Sequence, residues 1–301
     1  MKKTHFLFIT ALLLPLYLAV AAAPQENEDT EYVGAETCLE CHDNMIKSLA
    51  KTPHFKASAT IGETHVEYCE ACHGPGGIHL EDPEIKGSIR NFVEMPIEET
   101  TSACLSCHRD DHFLKKIRRE KHYQTGESCL SCHSVHQERP EGKLLAQRAE
   151  SLCFTCHQDK AAEFNLPYHH KVQEARMTCW SCHDPHNTET SIQRLGHKKI
   201  SEKCFECHPS QRGPFTYEHL ASNVGTCEVC HQPHGSVNAR LLRRSEQYLL
   251  CLECHSGQLP EDGLFGKKTP SFHITNVSTY QNCTICHVKI HGSYLDRYFL
   301  R

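Results

Sequence analysis

The chain has 301 residues, with 32 Lys+Arg against 37 Asp+Glu and a formal charge of -5, and it carries 20 Cys and 25 His. That balance leaves no basic face, so no nucleic-acid binding is expected. An apolar content of 39% is low for a conventional core of this length.

The first predicted element is a leader at 1–22. Lys2 and Lys3 precede an apolar run, FLFITALLLPLYLAVAAA (6–23), that ends in small residues. This pattern predicts a secretory signal cleaved after Ala21 or Ala22. Losing Lys2 and Lys3 takes the formal charge from -5 to -7. ENEDTE (26–31) then reads as a disordered start. No later stretch approaches the roughly 20 apolar residues that span a bilayer, so no transmembrane helix is expected after cleavage.

Every cysteine falls in one pattern. The pairs are Cys38/Cys41, Cys69/Cys72, Cys104/Cys107, Cys129/Cys132, Cys153/Cys156, Cys179/Cys182, Cys204/Cys207, Cys227/Cys230, Cys251/Cys254 and Cys283/Cys286. Each is followed at once by a histidine: His42, His73, His108, His133, His157, His183, His208, His231, His255 and His287. An exported cysteine-rich chain suggests a disulfide scaffold, and CxxC pairs suggest zinc. Neither needs histidine at one offset after all ten pairs. Haem c does, because two thioethers fix the porphyrin and the next residue reaches the iron. Ten haem c groups are therefore expected. The 301 residues less a 22-residue leader leave 279, about 28 per haem. The cofactors must touch one another and supply much of the core.

What holds the other face of each iron decides between electron transfer and catalysis. Candidate distal ligands fall in two sets. His79, His136, His186, His234 and His291 follow a motif closely, and His54, His122, His170, His219 and His273 lie in linkers between paired motifs. His65, His112, His169 and His197 remain, and they compete at His54/His65, His112/His122 and His169/His170. His186 is too near His183 to reach the same iron and is expected to cap a different haem. Trp180 and Met177 are expected beside a ring. The tally supports two histidines at every iron.

The motifs form five doublets starting at Cys38, Cys104, Cys153, Cys204 and Cys251, a period near 50 residues that marks an array. KLLAQRAESLC (143–153) and RLLRRSEQYLLC (240–251) read as helices running into motifs, with SIQRLGHKKISEKC (191–204) a weaker third. NTET and GSVN after CHDPH and CHQPH read as turns. Short helices, long coil and almost no sheet are expected. The glycines of CEACHGPGG (69–77) allow a close backbone approach to a ring or a sharp turn. KKIRREK (115–121) reads as a solvated face or a dock for an acidic partner. YLDRYFLR (294–301) either meets a partner or covers the last haem.

Ten CxxCH motifs in five doublets behind a signal peptide, with CHGPGGIH, MTCWSCHDPH and CEVCHQPHGS, resemble the DmsE/MtrA family of periplasmic decahaem c-type cytochromes over nearly the whole mature chain. The resemblance implies an elongated row of haems in two pentahaem halves, 23–165 and 166–301. It also implies a position partly inside an outer-membrane β-barrel porin, in the periplasm. Electrons would pass there between periplasmic donors and extracellular cytochromes or a reductase. Electron carriage rather than catalysis is expected. A free periplasmic shuttle or a subunit of an extracellular cytochrome filament would use the same chemistry. A multihaem reductase would need an open iron, which the histidine tally disfavours.

Overall fold

The computed structural model describes residues 31–61, 63–111, 114–137, 142–187, 197–219, 221, 226–256, 273 and 277–301. The leader at 1–22, most of ENEDTE, most of NTET, the start of SIQRLGHKKISEKC, His112 and the side chain of His197 lie outside these.

Regular structure is short and local. The described residues hold twelve α-helices, the longest being Ile97–His108, and three two-stranded sheets. None of these helices is long and apolar enough to cross a membrane. The apolar core they build is small. Val66, Leu145, Ala149, Phe164 and Val172 are the buried hydrophobic residues among those described. About 28 residues per motif cannot close a core alone, as the sequence predicts.

Each motif is one helical turn. The amide of the motif histidine bonds the carbonyl of the first cysteine at 2.9–3.0 Å at His42, His133, His157, His183, His208, His231 and His287. Residues three and four apart are neighbours on a helical surface, so this turn puts both thiols and the imidazole on one side. The first motif of each doublet sits on a helix: Ala35–Leu39, Ile97–His108, Ala149–Phe154, His197–Phe205 and Gln247–His255. The second motif is a single turn, at Cys69–His73, Cys129–Cys132, Cys179–Ser181, Cys227–Val229 and Cys283–Ile285. Ser128 with Ser131 and Thr178 with Ser181 form capping boxes that start two of these turns.

The strands join doublets. β1 (Ser58–Ile61) and β2 (Thr64–Glu67) make a local hairpin in the first doublet. β3 (Tyr168–His169) lies in the linker of the third doublet and β4 (Tyr217–Glu218) in that of the fourth. They pair with β5 (Gly235–Ser236) and β6 (Gly292–Ser293), which directly follow His234 and His291 in the next doublet. Both junctions use the triplet His-Gly-Ser. A Cβ on Gly235 would overlap the Glu163 carbonyl oxygen, and one on Gly292 would overlap the Phe215 ring, so only glycine fits.

The helices expected from KLLAQRAESLC and RLLRRSEQYLLC begin later than the leucine pattern suggests, at Ala149 and Gln247. Lys143, Leu144, Arg240 and Leu241 instead take positive φ values of 58, 51, 60 and 59°. Left-handed backbone costs non-glycine residues energy, so it needs strong local support. That support comes from the motifs. His133 pairs in a bridge with Leu145 and His231 with Leu242. Ser236 Oγ, fully buried, donates to the Leu242 carbonyl at 2.6 Å, and Ser293 Oγ donates likewise to the carbonyl of Arg301.

In the first doublet the glycines of CHGPGG approach residues 31–33, the first that are described. Gly77 N–H bonds the Glu31 carbonyl at 3.0 Å, and a Cβ on Gly76 would meet Val33 at 3.0 Å. Glu70 is buried there and accepts from the amides of Val33, Gly34 and Gly76 at 3.0, 2.9 and 2.9 Å.

Candidate haem iron sites

The described structure pairs no cysteine in a disulfide. Among the described residues no group of three or more His, Cys, Asp or Glu converges as a metal site would. What converges instead is histidine on histidine, two at a time.

Each motif histidine faces one histidine from outside the motifs. The ring centres are 6.4 Å apart for His42–His79 and 6.0 Å for both His73–His136 and His108–His54. They are 5.8 Å apart for His133–His186, 6.2 Å for His157–His122 and 6.0 Å for His183–His234. His208–His170, His231–His291, His255–His219 and His287–His273 are all at 6.3 Å. An imidazole nitrogen binds a metal at about 2 Å, and the ring centre lies about 1.1 Å behind it, so two imidazoles sharing one metal have centres about 6 Å apart. Aromatic stacking covers a similar range. Stacking alone does not explain why all ten pairs join one motif histidine to one of the ten histidines singled out by position. The separation fits one iron per pair, and the two motif thiols beside it fit the porphyrin edge.

Of the competing residues, His54, His122 and His170 face motif histidines. His65 lies exposed, 3.3 Å from Glu67. His169 donates from Nδ1 to the Leu166 carbonyl at 2.6 Å and has Nε2 3.2 Å from Glu174.

The pairs interlock the doublets. Linker histidines His54, His122, His170 and His219 each face the first motif histidine of the next doublet. His136, His186, His234 and His291 each face the second motif histidine of the doublet before. Only at the ends does a doublet serve itself, with His79 on His42 and His273 on His287.

Second partners aim the rings. Nδ1 donates to a backbone carbonyl at His73 (Arg90, 2.8 Å), His133 (Lys143, 2.9 Å), His231 (Arg240, 2.8 Å) and His287 (Tyr298, 2.5 Å). The left-handed turns therefore exist to present these carbonyls, and the C-terminal YLDRYFLR does for the tenth motif what RLL does for the eighth. Phe299, at φ 61°, also sets its ring 5.5 Å from His219. Three of the linker histidines follow a second rule. His122 donates to the Pro185 carbonyl at 3.4 Å and His170 to that of Pro233 at 2.6 Å, and His219 bonds the Ile290 backbone. Each acceptor directly precedes the next doublet's His186, His234 or His291. An Nδ1–H so engaged leaves Nε2 as the free lone pair. Burial lowers the pKa of His54, His136, His183, His186, His219 and His291, favouring the neutral form that binds metal.

The cysteines give the order of the sites. Within doublets the first thiols come near enough to interact: Cys38 with Cys69, Cys104 with Cys129, Cys153 with Cys179, Cys204 with Cys227 and Cys251 with Cys283. Between doublets the second thiols are near enough to interact electrostatically: Cys72 with Cys107, Cys132 with Cys156, Cys182 with Cys207 and Cys230 with Cys254. Contact order is chain order, from the first motif to the tenth. Trp180 lies under the Lys143 ammonium, 4.7 Å from ring centre to Nζ, bridging the second and third doublets.

Cys41 and Cys286, the second thiols of the first and tenth motifs, take no part in these four pairs. Both lie exposed, as do the internal second thiols Cys72, Cys107, Cys156, Cys182 and Cys207. Each keeps its place in the motif turn, with its amide 3.3 Å from the carbonyl of Cys38 or Cys283.

A family model described as the doubled CXXCH motif matches residues 122–162, 169–213 and 219–259, each match spanning the second motif of one doublet and the first of the next. The chain is 32% identical over 271 residues to the multihaem cytochrome MtrA of Shewanella baltica, covering 86% of this chain and 78% of that one. It is 29% identical over 134 residues to the cytochrome c-type protein NrfB of Escherichia coli, covering 43% of this chain and 68% of that one. It is 23% identical over 189 residues to the dissimilatory sulfite reductase MccA of Wolinella succinogenes, covering 55% of this chain and 22% of that protein.

Proposed function

The chain belongs to the MtrA family of multihaem c-type cytochromes, and on that premise we propose that it is a decahaem electron conduit, a wire rather than an enzyme. The observation that carries this reading is the set of ten histidine pairs, joined in chain order by the cysteine contacts. Each CxxCH would hold one haem c through its two thiols, with the motif histidine and its facing histidine on the two sides of the iron. Bound there, haem supplies one-electron exchange between Fe(III) and Fe(II). The protein's part is to hold both ligands through the change of charge. Paired imidazoles aimed by fixed carbonyls do this without moving, and two histidines favour a lower potential than histidine with methionine.

Similarity to MtrA supports a periplasmic protein seated in an outer-membrane β-barrel porin, passing electrons to or from extracellular cytochromes. Crosslinking in cells followed by purification from outer membranes tests this. A β-barrel protein should co-purify, and full cellular activity in a soluble, barrel-free form contradicts the proposal. A reductase reading draws on the partial similarity to MccA. It requires an iron with one free face, and every motif histidine here has a facing partner.

A further inference from the structure

The hydrogen bonds that aim the paired histidines do not all end on the same chemistry. His73, His133, His170, His231 and His287 donate to backbone carbonyls, which carry no net charge. At two sites the acceptor is a carboxylate. His108 Nδ1 donates to Asp111 Oδ2 at 2.8 Å, and His234 Nδ1 donates to Glu163 Oε2 at 2.8 Å.

These two arise differently. Asp111 lies three residues past His108, just beyond the helix Ile97–His108, so the contact is local. Glu163 lies near the end of the helix Gln158–Phe164 in the third doublet and reaches His234 of the fourth, 71 residues on. The close approach of Gly235 to the Glu163 carbonyl holds that contact in place. Lys160 shares the Glu163 carboxylate at 2.7 Å.

We infer that Asp111 and Glu163 are positioning residues that lower the potentials of the third and sixth sites, those of His108 and His183. The inference rests on the two-histidine reading above. A carboxylate on Nδ1–H draws the proton towards itself and makes the imidazole a stronger donor. A stronger donor, with an anionic charge beside it, stabilises the ferric over the ferrous state. A carbonyl does this less. In a row ordered like the chain, electrons would meet two steps that run uphill between neighbours held by carbonyls.

The test is a spectroelectrochemical titration of the haem-loaded full chain, comparing wild type with Asp111→Asn, Glu163→Gln and Glu174→Gln. The first two remove the charge but keep an oxygen acceptor. Glu174 bonds His169, which faces no motif histidine, so its variant controls for a general loss of charge. The expected result is that D111N and E163Q each move the amplitude of one haem from the low-potential edge to higher potential, E174Q moves none, and Asp111→Glu restores the wild-type curve. No movement in D111N or E163Q, or an equal movement in E174Q, overturns the inference while leaving the ligation reading intact. A high-spin ferric signal in the wild type overturns the ligation reading itself and the inference with it.

Discussion

The middle and the ends of the row solve one problem in two ways. An internal doublet keeps neither of its extra histidines: His170 goes forward to His208, and His186 goes back to His133. In the first doublet the following histidine, His79, folds back on its own His42. In the fifth doublet, His273 turns to its own His287. The thiols show a related break, since Cys41 and Cys286 are the two second thiols outside the four pairs between doublets. Internal units are thus held by their neighbours, while terminal units carry substitutes: the Glu70 carboxylate and the Gly76–Gly77 approach at one end, the YLDRYFLR backbone at the other. Repeat arrays need such caps because an end unit has one missing interface. The lesson is that the doublet is a unit of sequence, while the interlocked junction is the unit of stability.

The comparison breaks first at the histidines. His186→Ala and His79→Ala should each turn one low-spin haem of ten high-spin, read by electron paramagnetic resonance. The first should lower the melting temperature more, because it also unties two doublets; equal melting would contradict the interlock. Next is the junction glycine. Gly235→Ala drives a methyl into the Glu163 carbonyl and should cost about 3 kcal/mol in denaturant unfolding, since overpacking without room to relax is expensive. The end cap is next. Glu70→Gln removes a buried charge that three amides share and should cost about 2 kcal/mol, with faster hydrogen exchange at residues 33, 34 and 76. The smallest effect is at the bridge between doublets, where Lys143→Ala loses a cation–π contact with Trp180 and should cost only about 0.5 kcal/mol.

Much of the site was legible in the sequence. Ten CxxCH motifs name themselves, and position relative to them picks out ten further histidines. Which motif histidine each one faces was not legible, because the partners lie far apart in the chain and packing between doublets decides. The leucine pairs at 144–145 and 241–242 read as helix because their spacing is helical, yet the neighbouring motif draws that backbone into a left-handed turn to gain a carbonyl. Glu70 gave no signal beyond being an acidic residue inside a motif. The recurrence of His-Gly-Ser at 234–236 and 291–293 was a visible clue to the junction, since glycine then serine after a candidate ligand suggests a tight approach followed by a hydroxyl clamp.

The central claim is that every motif histidine has a partner across its iron. Low-temperature electron paramagnetic resonance of the oxidised, fully loaded chain, integrated against the haem count, tests it most directly. The account predicts ten low-spin ferric haems and no high-spin signal. A high-spin component amounting to one haem or more would contradict it.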